Sequence, residues 1–396
     1  MSRKFVAGLG VAVAVPFAVA ALQLVSVDAK IGAPRGADRA IASVTSDSAI
    51  SEFEALQIKG LFSIRPADGR LFRVLGQKSE QDKNFPAAVS YYELAAKWSP
   101  RDVIARLKLV DIHFQRMEVS AALDHLDALL RVSPSRRALL IQNLLSISEY
   151  PEVRAEFVKR LAQNPNWRGA FSSVAVSGVK QEFLSNSLLV LEDLKKATSL
   201  TESETQAHYR LLIAAGKSAQ ARSLWVESLP ADAKSSNSKL IFDGGFERMD
   251  KTDGLFAWKI SQEAGSFVAP DTVRKQGESA ALIRFQGQAV SKVGIQQTLA
   301  LTAGSYQLTG WALNEIHGSN PKLGFLVACV KGPTVAFAEV PKATRRGEWA
   351  RFSAELKIPE SNCKVQSIEV RNMAASLADR IITGSLHLDE IALVPK

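Results

Sequence analysis

The spacing of apolar positions changes part-way along the chain. From Glu52 onward they recur every three or four residues. Ile104, Leu107, Leu109, Val110 and Phe114 form one stripe at helical spacing, and Ala121, Leu123, Leu126, Leu129 and Leu130 form another. Arg137–Ser148, Glu152–Gln163, Glu182–Lys196, Glu202–Ala215 and Ser218–Ser228 continue the helical pattern. The polar, small-residue stretch Ala231–Ser238 then interrupts it, and beyond that break the period falls to two. Alternating runs at Ala280–Phe285, Val293–Leu301, Ser305–Leu313, Leu323–Val330, Val335–Val340, Ala350–Ile358, Val365–Arg371 and Ser385–Leu393 predict strands, separated by Gly, Pro, Asn and Asp. The expected fold class is multidomain, α followed by all-β: a stack of helix pairs over 51–234, then an antiparallel β-sandwich over 235–396.

Within the helical part a proline recurs at an interval of 34 residues, at Pro66, Pro100 and Pro134. Ahead of Pro100 stand Phe72, Leu75, Gly76, Ala88, Tyr92 and Ala95. Gly76 and Ala88 allow two helices to approach closely, Phe72, Leu75 and Tyr92 fill the space between them, and Pro100 ends the second helix. This order and period resemble the tetratricopeptide repeat, strongly over one unit and loosely over its neighbours. In the unit ending at Pro134, Arg106 and Val110 replace the aromatic and the glycine, and Pro165 breaks the interval. The resemblance implies an α-solenoid that takes a protein partner in its groove.

Beyond the break, Asp243-Gly244-Gly245-Phe246-Glu247 precedes Trp258, and Gly277-Glu278-Ser279-Ala280-Ala281-Leu282 leads into a strand. Gln296-Gln297-Thr298-Leu299, Gly304-Ser305-Tyr306-Gln307-Leu308, Trp349-Ala350-Arg351-Phe352-Ser353 and Leu388-Asp389-Glu390-Ile391-Ala392-Leu393 follow in order. The series resembles the galactose-binding-like jelly rolls, in particular carbohydrate-binding modules that open with Asn-x-Gly-Phe-Glu; Asp243 stands where the family usually has Asn. The resemblance implies polysaccharide binding on aromatic side chains, with Trp258, Tyr306, Trp311 and Trp349 as the candidates. Strand alternation places Trp311 with Gln307 and Thr309, and Trp349 with Arg351 and Glu355, on polar faces, which favours those two. It also implies a structural calcium held by Glu247 and Asp389, with Asp243 as a third ligand. The alternative is that these carboxylates cap turns. No other cofactor is expected.

Charge and the termini refine this picture. The net charge of +9 is spread along the chain, and no basic run interleaves with aromatics, so a nucleic-acid partner is not expected. Arg3 and Lys4 precede an uncharged apolar stretch, Phe5–Val27. That pattern predicts a signal anchor over 1–29 that places the chain in the inner membrane as a single-pass protein with its bulk in the periplasm. The alternative is a leader cleaved near Ala29. Residues 30–50 read as a flexible tether. The two cysteines, Cys329 and Cys363, pair as one disulfide in an oxidising compartment or remain two buried thiols. No histidine pair has metal-binding spacing, His113 reads as a packing residue, and no nucleophile elbow or phosphate loop is present, so catalysis is not expected. The sum is a non-enzymatic scaffold for exopolysaccharide or cell-envelope polysaccharide assembly or export. A protein–protein assembly factor without sugar binding and a carbohydrate-active enzyme are the alternatives.

Overall fold

The computed structural model describes residues 49–396 apart from 64, 178–182, 235–239, 252–253 and 343–344. The expected anchor, 1–29, lies outside the described residues, as does nearly all of the tether. Among the described residues no helix is long and apolar enough to cross a membrane, which overturns the single-pass inner-membrane placement. The end of the tether is corrected too. Ile50 is buried against the first helices, and its amide donates to Gln81 Oε1 at 2.9 Å. The chain divides into two units, the first ending at Ala207 and the second running His208–Lys396.

In the first unit Ser51 opens α1 (Glu52–Leu61) with a reciprocal capping box to Glu54. Asp68 caps α2 (Gly69–Gln81), Asn84 caps α3 (Phe85–Trp98) and Asp102 caps α4 (Val103–Gln115), each through its side-chain oxygen. Then come α5 (Val119–Val132), a 3₁₀ turn at Pro134–Arg136, α6 (Arg137–Ser146), α7 (Pro151–Ala162), α8 (Arg168–Ser177) and α9 (Leu184–Ala197), and α10 (Glu202–Ala214) spans the division between the units. The α2–α3 pair shows why Gly76 is small. A Cβ there would stand 2.7 Å from the ring of Tyr92, which is fully buried and donates its hydroxyl to Glu80 Oε2 at 2.7 Å. Ala88 and Ala95 are buried with it, Leu75 packs under α1, and Phe72 meets Phe62 edge-on at 4.8 Å. Pro100 lies just past the end of α3, and Pro134 starts the turn after α5.

In the second unit α11 (Ser218–Ser228) and α12 (Ala231–Lys234) group with the sheets rather than with the preceding helices. The helical part expected to reach 234 therefore gives up its last segments. Trp225 of α11 is buried, with Phe242 at 4.9 Å and Phe256 at 5.5 Å between ring centroids. The strands are β1 (Lys259–Ile260), β2 (Ser266–Asp271), β3 (Ala280–Ala289), β4 (Lys292–Leu299), β5 (Gly304–His317), β6 (Leu323–Cys329), β7 (Thr334–Glu339), β8 (Ala350–Ile358), β9 (Gln366–Asn372) and β10 (Ile381–Pro395), with a one-turn helix α13 (Leu377–Arg380) before the last. They form two five-stranded antiparallel sheets, ordered β1-β4-β9-β6-β7 and β2-β3-β10-β5-β8. Alternation turns Leu308 and Ala312 of β5, and Phe352, Leu356 and Ile358 of β8, into the core. Phe246, Trp258, Phe325 and Phe352 form a chain of ring contacts at 5.1, 6.3 and 5.7 Å that links the two sheets. Burying each such side chain contributes roughly 2–3 kcal/mol. Cys329 and Cys363 are joined by a disulfide and lie buried in the same core.

Candidate functional site

The opening motif of the second unit wraps onto the last strand, and backbone geometry dictates its residues. Asp243 and Phe246 have φ of 51° and 58°, and Glu390 has 53° at the irregularity in β10. Gly244 carries no side chain because a Cβ would collide with the carbonyl of Ile391, whose amide donates back to Gly244 O at 2.8 Å. Asp243 accepts the amides of Glu247 (2.9 Å) and Arg248 (3.0 Å), and its own carbonyl accepts Trp258 Nε1–H at 2.8 Å. Burial holds the Asp243 carboxyl up at about 6. Asp389, fully buried, accepts Lys275 N (2.7 Å) and Gln276 N (3.0 Å) on Oδ2 and Glu390 N (2.7 Å) on Oδ1; burial raises its pKa as well. Glu247 Oε1 accepts Glu278 N at 2.9 Å.

These carboxylates do cap turns. They also approach one glycine: Glu247 Oε1, Glu390 Oε1 and Asp389 Oδ1 stand 3.6, 3.6 and 3.7 Å from where a Cβ on Gly245 would lie, though the three oxygens are not all within 4.8 Å of one another. The third carboxylate near that glycine is Glu390; Asp243 turns both its oxygens to amides of its own turn, and Asp389 turns both of its own to amides of the 275–276 loop and of Glu390.

The sheet β2-β3-β10-β5-β8 turns its other face away from the core. In register across it lie Arg351, Trp311 and Asp389, and, further along, Glu315, Ser385 and Arg284. Lys275, placed by the two amide bonds from its loop to Asp389, sets its ammonium 4.3 Å from the centre of the Trp311 ring. Trp349 meets His387 edge-on at 6.4 Å, and His387 Nε2 lies 2.9 Å from Asp271 Oδ2, a hydrogen bond that holds the Asp271 carboxyl below its usual range. Further along this face, where Ser385 pairs with Glu315, a groove of about 660 Å³ is lined by residues including Asn314, Glu315, His317, Lys342, Arg345 and Ser385.

The four aromatic candidates thus part company. Trp258 and Tyr306 are buried in the sandwich core, Trp258 tied to Asp243 and Tyr306 to Thr302, so neither is a ligand platform. Trp311 is on the outer face, but the Lys275 cation covers its ring. Trp349 is partly exposed on the same face. Lys275, Arg284, Glu315 and His387 were not legible as site residues, because cross-strand register and one loop bring them together.

The sandwich is similar in fold to several solved carbohydrate-binding modules. One is TmCBM61 in complex with beta-1,4-galactotriose, with 20% identity over 40% of this chain and 100% of that one and a TM-score of 0.27. A family 16 carbohydrate-binding module is 16% identical over 39% of this chain and 99% of that one, with a TM-score of 0.28. The CBM22-1 xylan-binding domain of Xyn10C from Paenibacillus barcinonensis is 14% identical over 34% and 83%, with a TM-score of 0.25. No family model and no curated protein matches the chain.

Proposed function

We propose that this protein is a non-catalytic carbohydrate-binding adaptor. Its sandwich takes a polysaccharide on the outer face of the β2-β3-β10-β5-β8 sheet, and its helical unit takes a protein partner, in exopolysaccharide or cell-envelope polysaccharide assembly or export. The observation that carries the sugar reading is the groove over Glu315 and Ser385, on the sheet face where Trp349 meets His387. It has the volume of a small-molecule site, and its amide, hydroxyl, carboxylate and guanidinium groups match the donors and acceptors of sugar hydroxyls. Trp349 supplies the flat apolar surface that a pyranose face needs. On this reading Lys275 keeps Trp311 dry until a ligand displaces it. A calcium that drew Glu247, Asp389 and Glu390 together would pin the opening motif to the last strand and leave the groove free.

Affinity electrophoresis of the full chain against neutral and acidic polysaccharides tests the reading. At least one glycan should retard the protein, and Trp349→Ala should abolish the retardation while Trp311→Ala weakens it less. Unaltered glycan chain length after prolonged incubation is expected of a non-catalytic module. Failure of every glycan to retard the wild-type chain would refute sugar binding and leave protein–protein assembly as the function.

A further inference from the structure

Three consecutive helices of the first unit bring a second constellation together. Glu93 of α3, His113 of α4 and His125 of α5 each place one ligand atom so that all three lie within 4.8 Å of one another, the only such set among the described residues. His125 Nε2 is 3.3 Å from Glu93 Oε1, and His113 Nε2 is 3.7 Å from the same oxygen. The imidazoles run parallel, 5.4 Å apart and 8° from coplanar orientation. Around a tetrahedral zinc with bonds near 2.0–2.1 Å, ligand atoms stand roughly 3.4 Å apart, so small side-chain adjustments complete the geometry.

His113 is prepared for this role from behind. Its Nδ1 lies 2.6 Å from Glu118 Oε2, which fixes Nδ1 as the donor and leaves the lone pair on Nε2. The Nε2 atom is buried and has no hydrogen-bond partner, and 3.7 Å to a carboxylate oxygen is too long for a hydrogen bond. A lone pair facing a carboxylate across that gap leaves room for a shared cation. Glu93 is half-exposed, which opens a route to solvent. Arg106 is the other charged group nearby. Its guanidinium donates to the carbonyls of Pro100 (2.9 Å) and Ala96 (3.2 Å), and the carboxylates of Glu93 and Asp102 offset its charge.

We propose that Glu93, His113 and His125 bind one zinc ion, with Glu118 as the positioning residue for His113 and water completing the coordination. Two imidazole nitrogens select a borderline transition ion over calcium or magnesium. The ion would staple α3, α4 and α5 at one point.

The test uses the full chain, free of any affinity tag and stripped with chelator, titrated with zinc chloride by calorimetry and with cobalt chloride by absorption. One zinc per chain, visible cobalt bands of a low-coordinate nitrogen/oxygen site and a rise in Tm on zinc addition are expected. Glu93→Gln and His125→Gln should each weaken binding by at least about tenfold, and Glu118→Gln by roughly 10–100-fold with a shifted cobalt spectrum at unchanged stoichiometry. Glu93 is half-exposed, so its variant keeps the proposal testable if a buried histidine variant misfolds. Absence of one-to-one zinc binding by the wild-type chain, or wild-type affinity in both Glu93→Gln and His125→Gln, would overturn it.

Discussion

Replacing Asp389 by alanine tests how the sandwich, its opening loop and the covered tryptophan depend on one carboxylate. Asp389 is fully buried and receives three backbone amides, two from the loop that carries Lys275 and one from Glu390. A hydrogen bond to a charged acceptor contributes roughly 1.5–3 kcal/mol. Lys275 and Gln276 are exposed, so their amides regain water once the loop lifts; half the value for those two bonds and the full value for the third gives about 3–6 kcal/mol. The carboxylate's own burial cost, which raises its pKa, takes this toward about 3 kcal/mol. For a unit of this size each kcal/mol moves Tm by about 2–4 °C, so the midpoint should fall by about 6–12 °C. Thermal unfolding of the full chain followed by tryptophan emission reads the shift. Collisional quenching at low temperature should rise as Trp311 loses its lysine cover, and Lys275→Ala should raise quenching without the fall in Tm. If a calcium ion shares the site, a calcium chelator should lower the wild-type Tm and leave Asp389→Ala unmoved. An unchanged midpoint in Asp389→Ala would refute the reasoning.

Asp243 gives a pH signature of opposite sign to ordinary acid denaturation. Its folded value of about 6 lies above the unfolded carboxylate value, so the folded unit holds a proton that the unfolded chain releases; stability should rise by about 2 kcal/mol as pH falls from 6 to about 4. Asp243→Asn should flatten this dependence in urea titrations at pH 5 and 7. Gly76→Ala should cost about 1–3 kcal/mol through overpacking against Tyr92, and an unchanged urea midpoint would mean that the ring can yield. Arg168 and Glu204 form a buried bidentate pair at 2.7 Å, so Arg168→Ala should cost about 3–5 kcal/mol in urea unfolding, while the double variant Arg168→Met with Glu204→Leu restores most of it.

Alternation made the sandwich legible because each long strand has one face in the core. Two strands carry no such signal. β1 has two residues, and β2 holds Pro270, which an edge strand tolerates but a pattern search rejects. Helix α8 leaves little trace in the sequence because its Ser, Gly and Val residues favour helix weakly. At the candidate sites, residue type was readable and convergence was not. Trp258 and Trp349 differ in role because one precedes β1 inside the core and the other sits on the outer sheet face. Glu93, His113 and His125 are separated by 20 and 12 positions on three helices, so no motif spacing announces them. His113 is buried as a packing residue would be; only its unpartnered nitrogen distinguishes it.

The grouping of Trp225 with Phe242 and Phe256 bears on how this module could travel between proteins. A gene fusion cut at the polar break before Leu240 would carry every strand but leave α11 behind, baring two phenylalanine rings that Trp225 now shields. Such a cassette would be sticky and marginal. Recombination that keeps the module soluble must take its heritable boundary from inside the helical stretch, ahead of Ser218, so the sandwich carries its own helical seal as part of the unit that evolution can move.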